Sequence, residues 1–269
     1  MNLSRKLMIE PGSRLRLSRC DPGDTPAFNS KASAARVLEK NLARLAELQY
    51  LLYAQNRHAL LIVLQGPDAS GKDGTIRHVM SGLNPQGVVV TPFKVPSAEE
   101  LDHDFLWRVH QKVPPRGDIG IFNRSHYEDV LVVRVHELAP REVWSRRYEQ
   151  INAFEKMLVE NDVRILKFFL HIGKDEQKKR IQERIDDPTR NWKLSASDFE
   201  ERKYFDDYRK AYEDVLSHCS TPTAPWYLVP SNHKWFRNLA VSQIIVEALE
   251  ELHMKFPPPQ IDLSKFRLQ

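Results

Sequence analysis

The chain has 269 residues, of which 41% are hydrophobic and 28% charged. At roughly 150 residues per domain this allows one large domain or two small ones, and the composition excludes disordered, collagen-like and low-complexity classes. Forty Lys and Arg against 36 Asp and Glu leave a formal charge of +4, which points to an anionic partner without naming one. Two cysteines, Cys20 and Cys219, are too few for a disulfide framework. The first 20 residues carry charges throughout and no signal-like apolar core, and no run approaches the roughly 20 apolar residues of a membrane span. The sequence therefore reads as a cytoplasmic protein without a membrane partner.

Residues 1–30, polar and rich in Pro, Gly and Asp, are expected to form an extended N-terminal arm, and 31–269 a single domain. Leu38, Leu42, Leu45, Leu48 and Leu52 recur at helical spacing, predicting a helix from Lys31 to about Tyr53. Five short apolar runs follow, at 58–66, 87–93, 118–122, 163–172 and 224–229, of the kind that forms strands buried on both faces of a parallel sheet. Helical patterns separate them, which implies an α/β sheet covered on both sides. Pro140 is expected in the first turn of a helix running through Phe154. Ser197 and Glu200 have capping-box spacing, predicting a helix from Asp198 to about His218. A last helix, from His233 to about Lys255, is expected to be stopped by the prolines at 257–259.

Directly after the first strand stands Gly66-Pro-Asp-Ala-Ser-Gly71-Lys72-Asp73, a G-x-x-x-x-G-K match that departs where Ser or Thr is expected. Between a buried strand and a helix, such a loop aims backbone N–H groups at one spot and favours an anion, with Lys72 adding a mobile charge. The alternative is an ordinary glycine-rich turn. Some 50 residues on, the third strand ends in Asn123-Arg124-Ser125, where phosphate-loop proteins hold a metal through a carboxylate. With a carboxylate missing at 123 and a hydroxyl at 73, Asp68 inside the loop becomes the candidate for holding the metal or the acceptor phosphate. Its alternative role is an Asx turn that shapes the loop.

Four blocks together resemble the type 2 polyphosphate kinases: GPDASGKDGT (66–75), IFNRSHYEDVLVVRV (121–135), DDPTRNWKLS (186–195) and APWYLVPSNHKWFRN (224–238). The resemblance spans nearly the whole chain after residue 30. It implies a three-layer α/β/α P-loop kinase fold like thymidylate kinase, with a parallel five-stranded sheet and a helical lid at about 174–203. It also implies reversible transfer of a terminal phosphoryl group between inorganic polyphosphate and a nucleotide, with Mg²⁺ or Mn²⁺. Many members read Asp-Arg-Ser-Trp-Tyr-Asn in the second block. Here it reads Asn123-Arg-Ser-His-Tyr-Glu128, similar to class III members that accept both AMP and ADP.

Phosphoryl transfer needs positioning and charge neutralisation more than covalent chemistry. The expected catalytic set is Asp68, Lys72, Asn123, Arg124 and Glu128, with Asp68 as the metal ligand. The expected polyphosphate contacts are Gly71, Lys72, Asp73, Arg124, Arg180, Arg184, Lys193 and Arg202. In the lid, Arg180 and Arg184 share one helical face and Ile181 and Ile185 the adjacent one, so that one face packs while the other meets phosphate or, alternatively, solvent. Lys234 and Arg237 are weaker candidates of the same kind. Trp192, Trp226 and Trp235 read as packing anchors, and His126 as structural. The resemblance further implies a homo-oligomer, dimer or tetramer. Two other readings stand beside it: an ATP-dependent nucleoside monophosphate kinase of the same fold, and a nucleic-acid binder, for which no recognisable module is present.

Overall fold

The computed structural model describes residues 3–265; positions 1–2 and 266–269, at the outer ends of the expected arm and domain, lie outside them. The elements run α1 (Leu3–Leu7), α2 (Lys31–Gln55), β1 (Ala59–Gln65), α3 (Lys72–Val79), β2 (Val88–Pro92), α4 (Ala98–Leu101) and α5 (Trp107–His110). Then follow β3 (Ile119–Asn123), α6 (Glu128–Val135), α7 (Arg141–Trp144), α8 (Arg147–Glu160) and β4 (Val163–His171). The chain continues through α9 (Lys174–Ile185), α10 (Ala196–Glu201), α11 (Phe205–His218), β5 (Trp226–Pro230) and α12 (Lys234–Glu250). No helix among the described residues is long and apolar enough to cross a membrane.

All five expected strands form, paired in parallel in the order β2-β3-β1-β4-β5, but β2, at one edge of the sheet, is not buried on both faces as expected: Val89 and Val90 are exposed. β1 lies at the centre and is buried at every position. Because side chains alternate along a strand, Leu60, Ile62 and Leu64 enter a core built with α2, α3 and α12. Ala59, Leu61 and Val63 enter a second core with α6, α8 and α11. The result is the expected three-layer α/β/α body. Leu64 of β1 stands opposite Asn123 of β3 and Phe168 of β4, so the loop after β1 emerges level with Asn123 and Arg124.

Several local expectations are corrected. The first 30 residues are not simply extended: Leu3, Leu7, Ile9 and Leu17 are buried, and the Ile9 N–H donates to Trp226 O at 2.8 Å. Those aliphatics escape notice because Pro, Gly and charged residues separate them. The helix expected from Pro140 is broken into α7 and α8 at Ser145 and Arg146, with Pro140 at the cap position. The capping box is Ser195 with Asp198, not Ser197 with Glu200. What was expected as one helix to His218 is α10, a 3-10 turn at Arg202–Tyr204, and α11. α12 ends at Glu250, ahead of the prolines, which therefore do not stop it.

Candidate active site

The phosphate loop is shaped by two glycines in backbone regions that L residues avoid. At Gly66 (φ +150°) a Cβ would lie 2.8 Å from Leu170 O, and at Gly71 (φ +106°) it would lie 1.8 Å from Nη1 of Arg237. α3 begins immediately afterwards at Lys72, so its first N–H groups open onto the loop. Lys72 is buried and folds back on the loop, donating to Gly66 O at 2.7 Å and Pro67 O at 3.3 Å. Burial, reinforced by the nearby Arg124, lowers its pKa to about 8.

Arg124 leaves the end of β3 with φ +61°, which turns its side chain across the mouth of the loop. It pairs with Asp68 at 2.7 Å and Glu128 at 3.5 Å. Burial works against its charge, but Glu128 and then Asp68 outweigh it and raise the pKa further. Asp68 makes no hydrogen bond back to its own loop among the described residues; Arg124 takes its carboxylate instead of an Asx turn. Asn123 donates to Asp73 Oδ1 at 2.7 Å. The two departures from the common phosphate-loop pattern thus meet: the carboxylate absent from the strand end stands at the start of α3, held by the amide that replaces it.

Behind Arg124, His126 and Tyr127 reach inward to one buried carboxylate. Glu155 Oε1 lies 2.8 Å from the Tyr127 hydroxyl and 3.1 Å from His126 Nε2, and its Oε2 takes Lys167 Nζ at 2.5 Å. Lys167 also donates to Cys219 O at 2.6 Å. A buried pair this well surrounded is satisfied rather than reactive. It anchors the turn that carries Arg124 and Glu128, which gives His126 the structural place expected of it.

The expected polyphosphate contacts do not all face one way. Arg202 borders the cavity formed with Gly66, Asp68, Arg124 and Glu128. Arg184 is half-buried, and no ion pair forms on it among the described residues. Lys193 is exposed, its ammonium 5.1 Å from the ring of Trp192. Arg180 is a correction: it is buried behind the loop, bonded to main-chain carbonyls rather than open to a ligand. Arg237 lies there too, and burial, with Arg180 adding, lowers its pKa to about 10. Lys234 pairs with Glu183 instead. Ile181 is buried but Ile185 is exposed, so the expected apolar pair is split. Trp226 is a packing anchor and Trp235 leans on the core, whereas Trp192 is 77% exposed, outside both cores, and makes only local contacts with Thr189 O and Lys193. Sequence reasoning missed Gln177, Phe205, Tyr208 and Tyr212, which line the same cavity; no motif or spacing marks them.

The residues fit a divalent ion only in company with a ligand. Among the described residues no three acidic, His or Cys side chains stand close enough to hold a metal. Asp68 and Asp73 each offer oxygen at the loop while one oxygen accepts from Arg124 or Asn123. That donor set suits a hard cation that takes most of its oxygens from phosphate and water.

A glycine-shaped loop after a central parallel strand, with a lysine at the helix start and an arginine across its mouth, defines a P-loop phosphotransferase. The sequence profile described as Polyphosphate kinase 2 (PPK2) matches residues 28–257, and the chain belongs to that family. It is 51% identical over 266 residues to an AMP/ADP-polyphosphate phosphotransferase of Meiothermus ruber, covering 98% of this chain and 100% of the relative. It is 48% identical over 266 residues to an ADP-polyphosphate phosphotransferase of Rhodopseudomonas palustris, covering 94% and 92%. The fold matches the crystal structure of polyphosphate kinase 2 from Arthrobacter aurescens TC1 with a TM-score of 0.94 at 43% identity, over 98% of this chain and 94% of that one.

Proposed function

We propose that this kinase transfers the terminal phosphoryl group of inorganic polyphosphate to AMP, giving ADP, and to ADP, giving ATP, reversibly. The observation that carries the reading is the pair Lys72 and Arg124, two cations brought to one phosphate loop from consecutive parallel neighbours in the sheet. The name of the Meiothermus ruber relative, which includes both acceptors, supports the two-step reading. A terminal oxygen of the acceptor attacks the end phosphorus of the polymer, the bond from that phosphorus to its bridging oxygen breaks, and the polymer leaves one unit shorter. No general base is needed, because the acceptor phosphate is already an anion.

In this reading the loop N–H groups and Lys72 neutralise the transferring group. Arg124 exchanges its carboxylate partners for phosphate, which frees the Asp68 carboxylate. Asp68 and Asp73 would hold Mg²⁺ or Mn²⁺, which would supply charge neutralisation for the phosphates. Arg184, Lys193 and Arg202 lie in the segment 174–203, read as a lid over a single domain that follows the N-terminal segment. The cytoplasmic location, the absence of a nucleic-acid partner and the homo-oligomer belong to the same reading; light scattering of the purified protein tests the last.

The deciding assay offers AMP, ADP, GMP and GDP with polyphosphate and Mg²⁺ and no ATP. Formation of ADP from AMP and of ATP from ADP is the expected result. Strict dependence on ATP would hand the site to an ordinary nucleoside monophosphate kinase.

A further inference from the structure

The phosphate loop is gripped from behind. Three consecutive carbonyls each receive a buried donor. Gln177 Nε2 reaches Asp68 O at 3.0 Å, and Arg180 Nη1 reaches Ala69 O at 3.0 Å and Ser70 O at 3.1 Å. In a trans peptide the C=O of one residue and the N–H of the next point in opposite directions. Donors that draw these carbonyls rearward therefore turn the N–H groups of Ala69, Ser70 and Gly71 forward. That of Ser70 closes a turn onto Pro67 O at 3.1 Å. Those of Ala69 and Gly71 meet no acceptor among the described residues, which is the arrangement an anion-binding concavity requires.

Arg180 cannot do otherwise, since Nη2 is held by Ser231 O at 2.6 Å and Asn232 O at 2.9 Å, and Nε by Glu176 at 2.8 Å. Gln177 is different in kind. Its donor end holds the loop, while its acceptor end takes Nη1 of Arg202 at 2.9 Å. Arg202 sits in the 3-10 turn after α10 and makes no hydrogen bond to the loop itself. One buried amide thus joins a cation at the cavity edge to a peptide of the phosphate loop.

We propose that Gln177 is a positioning residue, coupling the seat of Arg202 to the peptide orientation of the phosphate loop. It rests on the phosphate-handling reading of the same loop. Gln177 touches no reacting atom in this account; it acts through the Asp68–Ala69 peptide. When Arg202 is seated, both ends of the amide are satisfied and the loop is held in its anion-accepting form. When Arg202 leaves, the amide is free to turn and the peptide loses its fixed direction.

The test uses the full chain with Gln177→Met, Gln177→Glu, Arg202→Met and the double variant Gln177→Met with Arg202→Met. Hydrogen–deuterium exchange of the peptide covering 66–73, measured without ligand, reports the loop directly. Calorimetry with tripolyphosphate reports its affinity. Gln177→Met is expected to speed loop exchange and weaken tripolyphosphate about tenfold, the scale of a coupling of roughly 1.4 kcal/mol. Its KM for AMP should stay within about twofold, because only the loop peptide has moved. Arg202→Met should loosen the same peptide, and the double variant should add little to either single change, as residues acting through one link do. Gln177→Glu, which keeps the acceptor for Arg202 and loses the donor to Asp68 O, should behave like Gln177→Met and decides the matter if that variant does not fold. Unchanged loop exchange in Gln177→Glu, or fully additive losses in the double variant, would overturn the coupling. A wild-type protein that binds ATP but no tripolyphosphate would overturn the donor reading alone, and loop exchange would still judge Gln177.

Discussion

The two sides of the phosphate loop carry the same side chain on different terms. In front, Arg124 is 39% exposed and its partners are the carboxylates of Asp68 and Glu128. Behind, Arg180 is 5% exposed and, apart from Glu176, its partners are four main-chain carbonyls. An arginine paired with mobile carboxylates can trade them for phosphate oxygens, which offer the same bidentate geometry. An arginine that satisfies buried carbonyls has no such freedom, because leaving would strand groups that water cannot reach. The front is built for exchange and the rear for permanence.

The largest effect is expected from the loop's own cation, Lys72, which donates to Gly66 O and Pro67 O. Lys72→Ala should lower kcat about a thousandfold or more, on the order of 4 kcal/mol of transition-state stabilisation, and should also lower stability by about 1 kcal/mol, since the buried Gly66 O loses its donor. Steady-state assay and calorimetric melting of the same sample check both halves. Next come the two arginines themselves. Arg124→Met should cost about a hundredfold in kcat and less than about 1 kcal/mol in stability, as expected of partly exposed ion pairs. Arg180→Met should cost about 3 kcal/mol in urea unfolding, since it leaves buried carbonyls without donors. Equal stability losses in the two variants would erase the distinction between front and rear.

Two smaller effects sharpen the description of the front. Asn123 and Glu128 stand where the chain leaves the commoner motif, and both bond to members of the site, Asp73 and Arg124. Asn123→Asp with Glu128→Asn should shift the ratio of AMP to ADP turnover about tenfold, some 1.4 kcal/mol of differential transition-state binding. A wild-type ratio in that variant would place acceptor selectivity elsewhere. The pKa of Lys72, lowered to about 8 by burial, gives a pH test. The charged form is lost as pH rises through that value, so kcat/KM, which reports the free enzyme, should fall above pH 8. A flat profile to pH 9.5 would contradict this.

The body of the fold was legible because its signals are local and redundant. Four of the strands, β3, β1, β4 and β5, are apolar runs because the sheet is covered on both faces there, whereas β2 at the edge is apolar in sequence yet exposed at Val89 and Val90. The loop was legible because glycines, lysine and strand end have fixed spacing. The rear of the loop was not. Gln177, Arg180 and Arg237 reach it from α9 and α12, more than 100 residues away in sequence, and an arginine that binds carbonyls looks in sequence like one that binds phosphate. Only the register of α9 decides. One turn separates Arg180, beneath the loop, from Arg184, half-buried with no ion pair among the described residues. The capping box near α10 failed for a related reason, since Ser195 and Ser197 both have an acid three residues on and geometry alone selects between them.

Arg184 is therefore the member of the expected lid pair that remains available to a polyanion, and the smallest effect is assigned to it. A half-buried cation acts on a charged polymer largely through a screened field, strong at low salt and weak beyond a Debye length of about 10 Å at 0.1 M. Its removal by Arg184→Ala should raise the KM for long-chain polyphosphate about threefold at low ionic strength, while kcat changes little, because the loop, Lys72 and Arg124 are untouched. The loss should shrink at high salt, where the wild type has already lost the same attraction. The KM for tripolyphosphate, which is too short to extend from the loop to Arg184 on α9, should move less. A kcat effect as large as that of Arg124→Met would move Arg184 to the transferring phosphoryl group itself, and an unchanged KM at every salt concentration would leave its charge solvated.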